Sequence, residues 1–171
     1  MSQKNDHIQH FTSIKKGQAY QVIGDDTTVT NATQTILHLT NDSSTHYMVV
    51  TYIRCSAIGL AGGTAIPNAS TRFELGFGRS YSSGGTEVTP VNMNKTSGNV
   101  AEATAYDNSP TLSGTFVEAD RFYPSSDGEE QTYNKEGSII LGKNDTFEIR
   151  LVTDHTSGTA YARVTFIMVE R

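Results

Sequence analysis

Chemistry in this chain would have to come from five histidines, one cysteine and a few acidic pairs. His7 and His10 are three apart, a spacing that sets two imidazoles on one face of a helical turn. Zinc asks for a third or fourth His, Cys or carboxylate, and the neighbouring residues supply no convincing one. His38 alternates with Ile36 and Thr40, opposite Leu37 and Leu39, and reads as a polar residue facing solvent or an interface rather than as a general base. Asp25-Asp26 and Glu129-Glu130 lie in turns, and adjacent residues on an extended chain point to opposite faces, so neither pair is a glycosidase-type dyad. Asp154-His155-Thr156-Ser157-Gly158 lacks the ligand ladder and closing Glu of a calcium loop. A Ser-His-Asp triad has no Gly-x-Ser-x-Gly elbow to select its serine. Cys55 closes the mostly apolar run Tyr47 to Cys55, where a buried structural thiol is expected. The expectation is a protein without catalytic residues, metal or other cofactor.

Two further features invite a ligand. Gly84-Gly85 opens the stretch GGTEVTPVNMN, and glycines let backbone N–H groups approach an anion, but no Gly-Lys-Ser/Thr follows and the dinucleotide pattern is incomplete. Tyr81, Tyr106, Phe122, Tyr123 and Tyr133 are candidates for stacking on sugars, although Trp, the strongest platform, is absent. Arg121-Phe122-Tyr123-Pro124 reads more simply as an anchor where a loop returns to a sheet.

A formal charge of −5 and an isoelectric point near 5.5 argue against nucleic acid as a partner, because neutralising phosphates takes clustered Lys and Arg. The one basic pair of note is Lys15-Lys16. Residues Met1 to Tyr20 are polar and lack the apolar stretch of a secretory signal, and no segment approaches the roughly 18 apolar residues of a membrane span. A soluble protein made in a cytoplasm, with no membrane partner, is the expectation.

The elements that must position these residues are strands. Period-two alternation dominates from Tyr20 onward, and no window holds a helical apolar stripe for three turns. Strands are predicted at Tyr20 to Ile23, Gln34 to Thr40, His46 to Ser56, Thr71 to Phe77, Thr86 to Asn92, Thr111 to Val117, Gln131 to Tyr133, Ser138 to Leu141, Thr146 to Thr153 and Thr159 to Val169, separated by Gly-, Asn-, Asp- and Ser-rich turns. This is an all-β chain: an antiparallel β-sandwich, with the eight-stranded jelly roll fitting the strand count best. An immunoglobulin-like sandwich stays open, although its disulfide and Trp are missing. Residues 20–171 form one domain, preceded by an N-terminal arm over 1–19 in which Ile8, Phe11 and Ile14 recur every third position. That arm reads either as a docking segment that orders on a partner or as plain disorder.

Two strands are apolar on both faces. Met48, Val50 and Tyr52 oppose Tyr47, Val49, Ile53 and Cys55, while Tyr161, Ile167 and Val169 oppose Ala162, Val164, Phe166 and Met168. Such strands need a second cover. A neighbouring subunit over Met48, Val50, Tyr52, Tyr161 and Ile167 is expected, with the loop Ala57 to Ser70 as the alternative. Alternation also slips within Thr86 to Met93, where Pro90, which donates no ladder bond, suits an edge or bulge.

The stretch formed by Gly84, Gly85, Thr86, Thr89, Pro90, Asn92 and Asn94 resembles a segment of small jelly-roll proteins of tailed-bacteriophage heads, the capsid decoration or cement proteins and related head-fibre modules. Phe73-Glu74-Leu75, Ser138-Ile139-Ile140-Leu141 and Ala162-Arg163-Val164-Thr165-Phe166 extend the likeness loosely to about half the chain. The resemblance implies a homotrimer on the outer surface of a virion capsid, clamping neighbouring major capsid proteins without catalysis; the arm with Ile8, Phe11 and Ile14 is, on our own reading of the residues, the segment expected to contact the capsid. The competing expectation is a receptor- or glycan-binding module of a tail fibre or spike, since the architecture is shared.

Overall fold

A computed structural model describes residues 12–26 and 28–171, with side chains left aside at 135–137. Eleven strands follow one another: β1 (Ala19–Asp26), β2 (Thr33–Asn41), β3 (His46–Ala61), β4 (Arg72–Ser83), β5 (Thr86–Glu87), β6 (Val91–Asn92), β7 (Ala103–Asp107), β8 (Thr111–Phe122), β9 (Gln131–Leu141), β10 (Thr146–Val152) and β11 (Ser157–Glu170). No described helix is long and apolar enough to cross a membrane.

The eight long strands pair as one folded-back ribbon. β4 pairs with β8, β3 with β9, β2 with β10 and β1 with β11, all antiparallel. The further pairings β11 to β3 and β10 to β4 wind that ribbon into two sheets, ordered β6-β1-β11-β3-β9 and β5-β7-β2-β10-β4-β8. This is the jelly roll, and the immunoglobulin-like alternative falls away. The short strands β5, β6 and β7 all belong to the β4–β8 connection and extend the two sheets at their β1 and β2 edges.

The core fills the space between the sheets. Tyr20, Val22, Val50, Ile53, Val164 and Phe166 from one side meet Leu37, Leu39, Phe73, Leu75, Phe147 and Ile149 from the other. Tyr20 stacks on Phe166 at 5.6 Å, and Phe122 stacks on both Phe73 and Tyr133, at 5.3 and 5.0 Å.

Several strand predictions shift for identifiable reasons. Gln131 to Tyr133 and Ser138 to Leu141 belong to the single strand β9. The predicted strand Thr86 to Asn92 breaks at buried Pro90, so that β5 joins one sheet and β6 the other. β7, made of ATAYD, carried too little apolar alternation to be predicted.

The reading of β3 as apolar on both faces is corrected. Phe166 opposes Val50 and Thr165 opposes Tyr52, which leaves Thr51 as an extra residue, and the β9 side skips at the same point. A bulge reverses the parity of everything beyond it. Met48 and Val50 therefore share the inner face with Ile53 and Cys55, all but fully buried, and present nothing for a partner to cover.

Candidate functional site

The Gly84–Asn94 segment lies at the edge of the sandwich nearest the N-terminal arm. Gly84 and Gly85 have φ of +68° and +67°, and a Cβ on Gly85 would lie 2.5 Å from the Asp107 carbonyl oxygen. Only glycine makes this close turn against β7. Thr86 and Thr89 are exposed, while Val88 donates its N–H to the Ala105 carbonyl at 3.0 Å. No phosphate-type cradle results, because the turn is filled by the chain's own backbone.

Beyond Pro90 the segment grips the root of the arm. Residues 12–15 form one helical turn, and Gly17, at φ +69°, redirects the chain into β1. The carbonyl oxygens of this short element are met by side-chain donors. Asn92 Nδ2 reaches Gly17 O at 3.0 Å, Asn94 Nδ2 reaches Lys15 O at 3.1 Å, and Asn99 Nδ2 reaches Lys16 O at 3.3 Å. The Tyr20 hydroxyl donates to Gly17 O as well, at 3.1 Å. Asn92 also bonds Asn99 O, and its Oδ1 accepts the Asn94 N–H, so the clamp is internally braced. Burial, joined by the nearby Glu102 charge, raises the Tyr20 phenol above its ordinary value and keeps it a neutral donor. Ile14 is half-buried in this element, whereas Ile8 and Phe11 lie outside the described residues, as do His7 and His10.

A second constellation covers the outer face of the six-stranded sheet. Bulges near Gly76 and Gly78 bend the β4–β8 hairpin so that residues 78–83 cross over β10 and β2 toward β7. Arg79 places its carbonyl 2.9 Å from His38 Nε2 and its guanidinium 3.1 Å from Glu148 Oε1, which also accepts the Thr35 hydroxyl at 2.6 Å. Tyr81 then stacks flat on Tyr106 at 3.6 Å. His38 is consequently fully buried, and its reading as a solvent- or interface-facing residue is corrected: the hairpin lies over it. A carbonyl can only accept, so Nε2 carries the proton and Nδ1 is left a bare acceptor. His38 Nδ1 and Glu148 Oε2, on directly paired residues, have no hydrogen-bond partner among the described residues. Desolvation lowers the His38 pKa, outweighing the bond to Arg79 and the Glu148 charge.

Next to this pair, Glu74 is almost fully buried between two arginines. Oε1 accepts from Arg72 Nε at 2.7 Å and Oε2 from Arg150 at 2.7 and 2.6 Å. Burial works to raise this carboxyl, yet the two guanidiniums prevail and its net direction is downward. Arg150 also lies over the Phe116 ring, 3.5 Å from its centre. These carboxylates lock the hairpin down.

The remaining candidates resolve into structural roles. Asp26 is buried, accepts the Thr28 N–H and the Gln34 amide, and takes a short bond from the Ser109 hydroxyl. Asp107 lies against Asp25 and Asp26, and burial raises its pKa. His155 is ringed by Thr71, Thr153 and Asp154, but all three address the same nitrogen, Nδ1, at 3.3, 3.0 and 3.3 Å. A triad needs its acid and nucleophile on opposite ring nitrogens, so this cluster is a buried polar knot. Cys55 is buried and its thiol pushed far up by desolvation. Glu129 ties back to Ser125. Among the described residues no three His, Cys, Asp or Glu side chains come together to hold a metal ion.

Of the residues expected at a subunit interface, Tyr52, Tyr161 and Ile167 do share one surface, the outer face of the five-stranded sheet. There the register aligns Ile23 with Arg163, Arg54 and Thr132; Gln21 with Thr165, Tyr52 and Asn134; and Ala19 with Ile167, Val49 and Ile140. Ile167 is buried on that face, while Tyr161, Ile23 and Ile140 are exposed. The loop after β3 directs its hydrogen bonds elsewhere, Thr64 to Asp154 and Asn68 to Thr71.

No family model and no curated protein matches the chain. Among solved structures it is similar to a chain of the acid-stable capsid of Helicobacter pylori bacteriophage KHP30, at TM-score 0.30 and 12% identity over 90% of this chain and 92% of that one. It is also similar to chains of infectious bursal disease virus, Gt strain, at TM-score 0.20 and 10% identity, and of T=1 particles derived from that virus, at 0.18 and 12%. The chain covers 42% and 40% of those two. These scores are too low to establish a shared fold, and the jelly roll stands on its own strand order.

Proposed function

We propose that the chain is a non-enzymatic virion protein that decorates and stabilises the outer surface of a tailed-phage capsid as a homotrimer, its N-terminal arm reaching the major capsid protein. The single observation that carries this reading is the clamp of Asn92 and Asn94 on Gly17 and Lys15, which gives the head-protein-like segment a physical task. A rigid root sets the direction in which an arm leaves the domain, and preorganisation lowers the entropic cost of docking it. Three arms held on one trimer raise avidity by about 10² to 10⁴ when all can bind together.

The test is co-sedimentation of the protein with purified expanded capsids, with the free protein weighed by light scattering. Trimeric protein that pellets with capsids, and loses most of that binding when Met1 to Lys15 is deleted, is expected. Undiminished binding by the truncated chain removes the arm from the proposal, and no binding by the full chain removes the decoration role.

A second reading rests on the Tyr81–Tyr106 stack, whose outer ring is 37% exposed at the hairpin tip and offers an aromatic face to a sugar. Under this reading the chain is a glycan-binding module of a tail fibre or spike. Retention on a glycan array that Tyr81→Ala abolishes, with no affinity for capsids, would favour it.

A further inference from the structure

The outer face of the five-stranded sheet combines exposed apolar residues with an arginine that lacks a counter-charge. Val91, at 66% exposure, lies beside Gln21 at one edge, Ile140, at 58%, lies beside Val49 at the other, and Ile23 and Tyr161 are exposed between them. At the centre of this surface Arg163 is directly opposite Arg54 across the β11–β3 ladder. Like charges facing each other across a ladder repel, and each needs an acid to offset the other. Arg54 has one: its Nε is 3.0 Å from Glu130 Oε1, and its guanidinium also donates to the Tyr52 hydroxyl. The Nε of each arginine is buried without a well-aligned hydrogen bond, but only Arg54 has an acid beside it, and Arg163 forms no ion pair among the described residues. A half-buried guanidinium in that condition is a site prepared for a carboxylate.

We infer that this face binds a second copy of the chain, heterologously, with Arg163 receiving a carboxylate from a different surface of the neighbour. The occupant follows from charge. The chain carries 18 acidic against 13 basic residues, while the Arg163 row sets two arginines against one neighbouring acid, Glu130, with Asp25 a row away beside Tyr161, so the row is locally positive on a negative molecule. A two-fold through that row would set four guanidiniums against one another. A contact of face to another surface avoids this and, on closing, makes a ring. Exposed Glu87 and Glu102, carried by the β4–β8 connection, form no ion pair among the described residues and are available to such a neighbour. The inference rests on the trimer reading and supplies its contact. It also replaces Met48 and Val50, which the core has taken, with Ile23, Arg163 and Ile140.

Sedimentation equilibrium of the full chain, without capsids, tests it. Wild type should show a multiple of the 18.6 kDa chain, and Arg163→Glu should weaken association by roughly tenfold or more while Arg163→Lys keeps most of it. Circular dichroism melts confirm that both variants fold. A photo-crosslinking residue at Ile23 should give a covalent self-adduct, and one at Val117, exposed on the other sheet, should not. A chain that stays monomeric, or an oligomer indifferent to Arg163→Glu and unlabelled from position 23, overturns the inference. A monomer that still pellets with capsids overturns it while leaving decoration intact; an Arg163-dependent oligomer that ignores capsids does the reverse.

Discussion

Asn92 and Gly17, 75 positions apart in the chain, are joined by a 3.0 Å hydrogen bond from side-chain amide to backbone carbonyl. The same amide holds Asn99 O, so one side chain ties the arm root to the connection between β4 and β8. Asn92→Ala removes both bonds and is expected to cost about 1–2 kcal/mol, at the usual net worth of a hydrogen bond. The effect is local. Amide exchange should accelerate at residues 15–18 and stay unchanged in β10, and equal protection of 15–18 in both proteins would refute the clamp.

The Thr51 bulge makes a sharp distinction between neighbours. Met48→Ala empties a fully buried site and should lower the stability of the folded chain by about 2–5 kcal/mol in urea unfolding. A surface methionine truncated in the same way would change stability by about 0.5 kcal/mol or less. A small effect would mean that the alternation continues unbroken through Thr51.

Glu74 predicts acid sensitivity. Its folded pKa is depressed below the ordinary 4.5, so its contribution is complete above 4.5 and disappears as pH falls through the folded value. Glu74→Gln strands Arg72 and Arg150, and should cost on the order of 3 kcal/mol near neutrality. Thermal melts of the two proteins should converge below the folded pKa. A gap that persists there would deny the ion pairs their role.

His38 acts in a higher window with the same sign. Its folded pKa lies below 6.5, so between those values the unfolded chain binds the extra proton and folding weakens as pH drops. Arg79 and Glu148 are the charged groups that face it, beneath the hairpin. Replacing the ring by glutamine, His38→Gln, should flatten the pH dependence of stability between that folded value and 6.5. An unchanged slope would place the titration elsewhere.

The fold was largely legible because its signals are local. Phe147, Ile149 and Leu151 of β10 are inward as their alternation predicts, although Thr146 and Glu148 on the opposite face are buried as well because the bent hairpin covers that side, and turn residues bracket nearly every long strand. What misled the reading was parity. A bulge leaves no mark in composition, so Met48 and Val50 looked like a second apolar face although Thr51 had turned the strand over. The buried state of His38 was equally hidden, since it depends on a hairpin over 40 residues further along bending across the sheet. Two signals in the chain point to the covered face: Gly76 and Gly78, spaced for a bend, and Glu74 and Glu148, acidic residues set among strand residues that arginines elsewhere have to answer. Arg163 gave no warning either, because a lone arginine on a strand is ordinary until its cross-strand neighbour is known to be another.

The ribbon-like pairing has a consequence for synthesis. β1 is made before its principal partner β11, and β2 before β10, with most of the domain's length between the members of each pair. Of the four ribbon pairs only β4–β8, at the bend, closes early, and even that spans the long insertion carrying β5 to β7; β6 and β7 meanwhile offer β1 and β2 short edge ladders. Pairings between the two ends of a chain are slow to form because their loop entropy must be met before any contact rewards it. Until β10 and β11 are made, β1 and β2 have only those short edge ladders, and their apolar faces stay open to self-association.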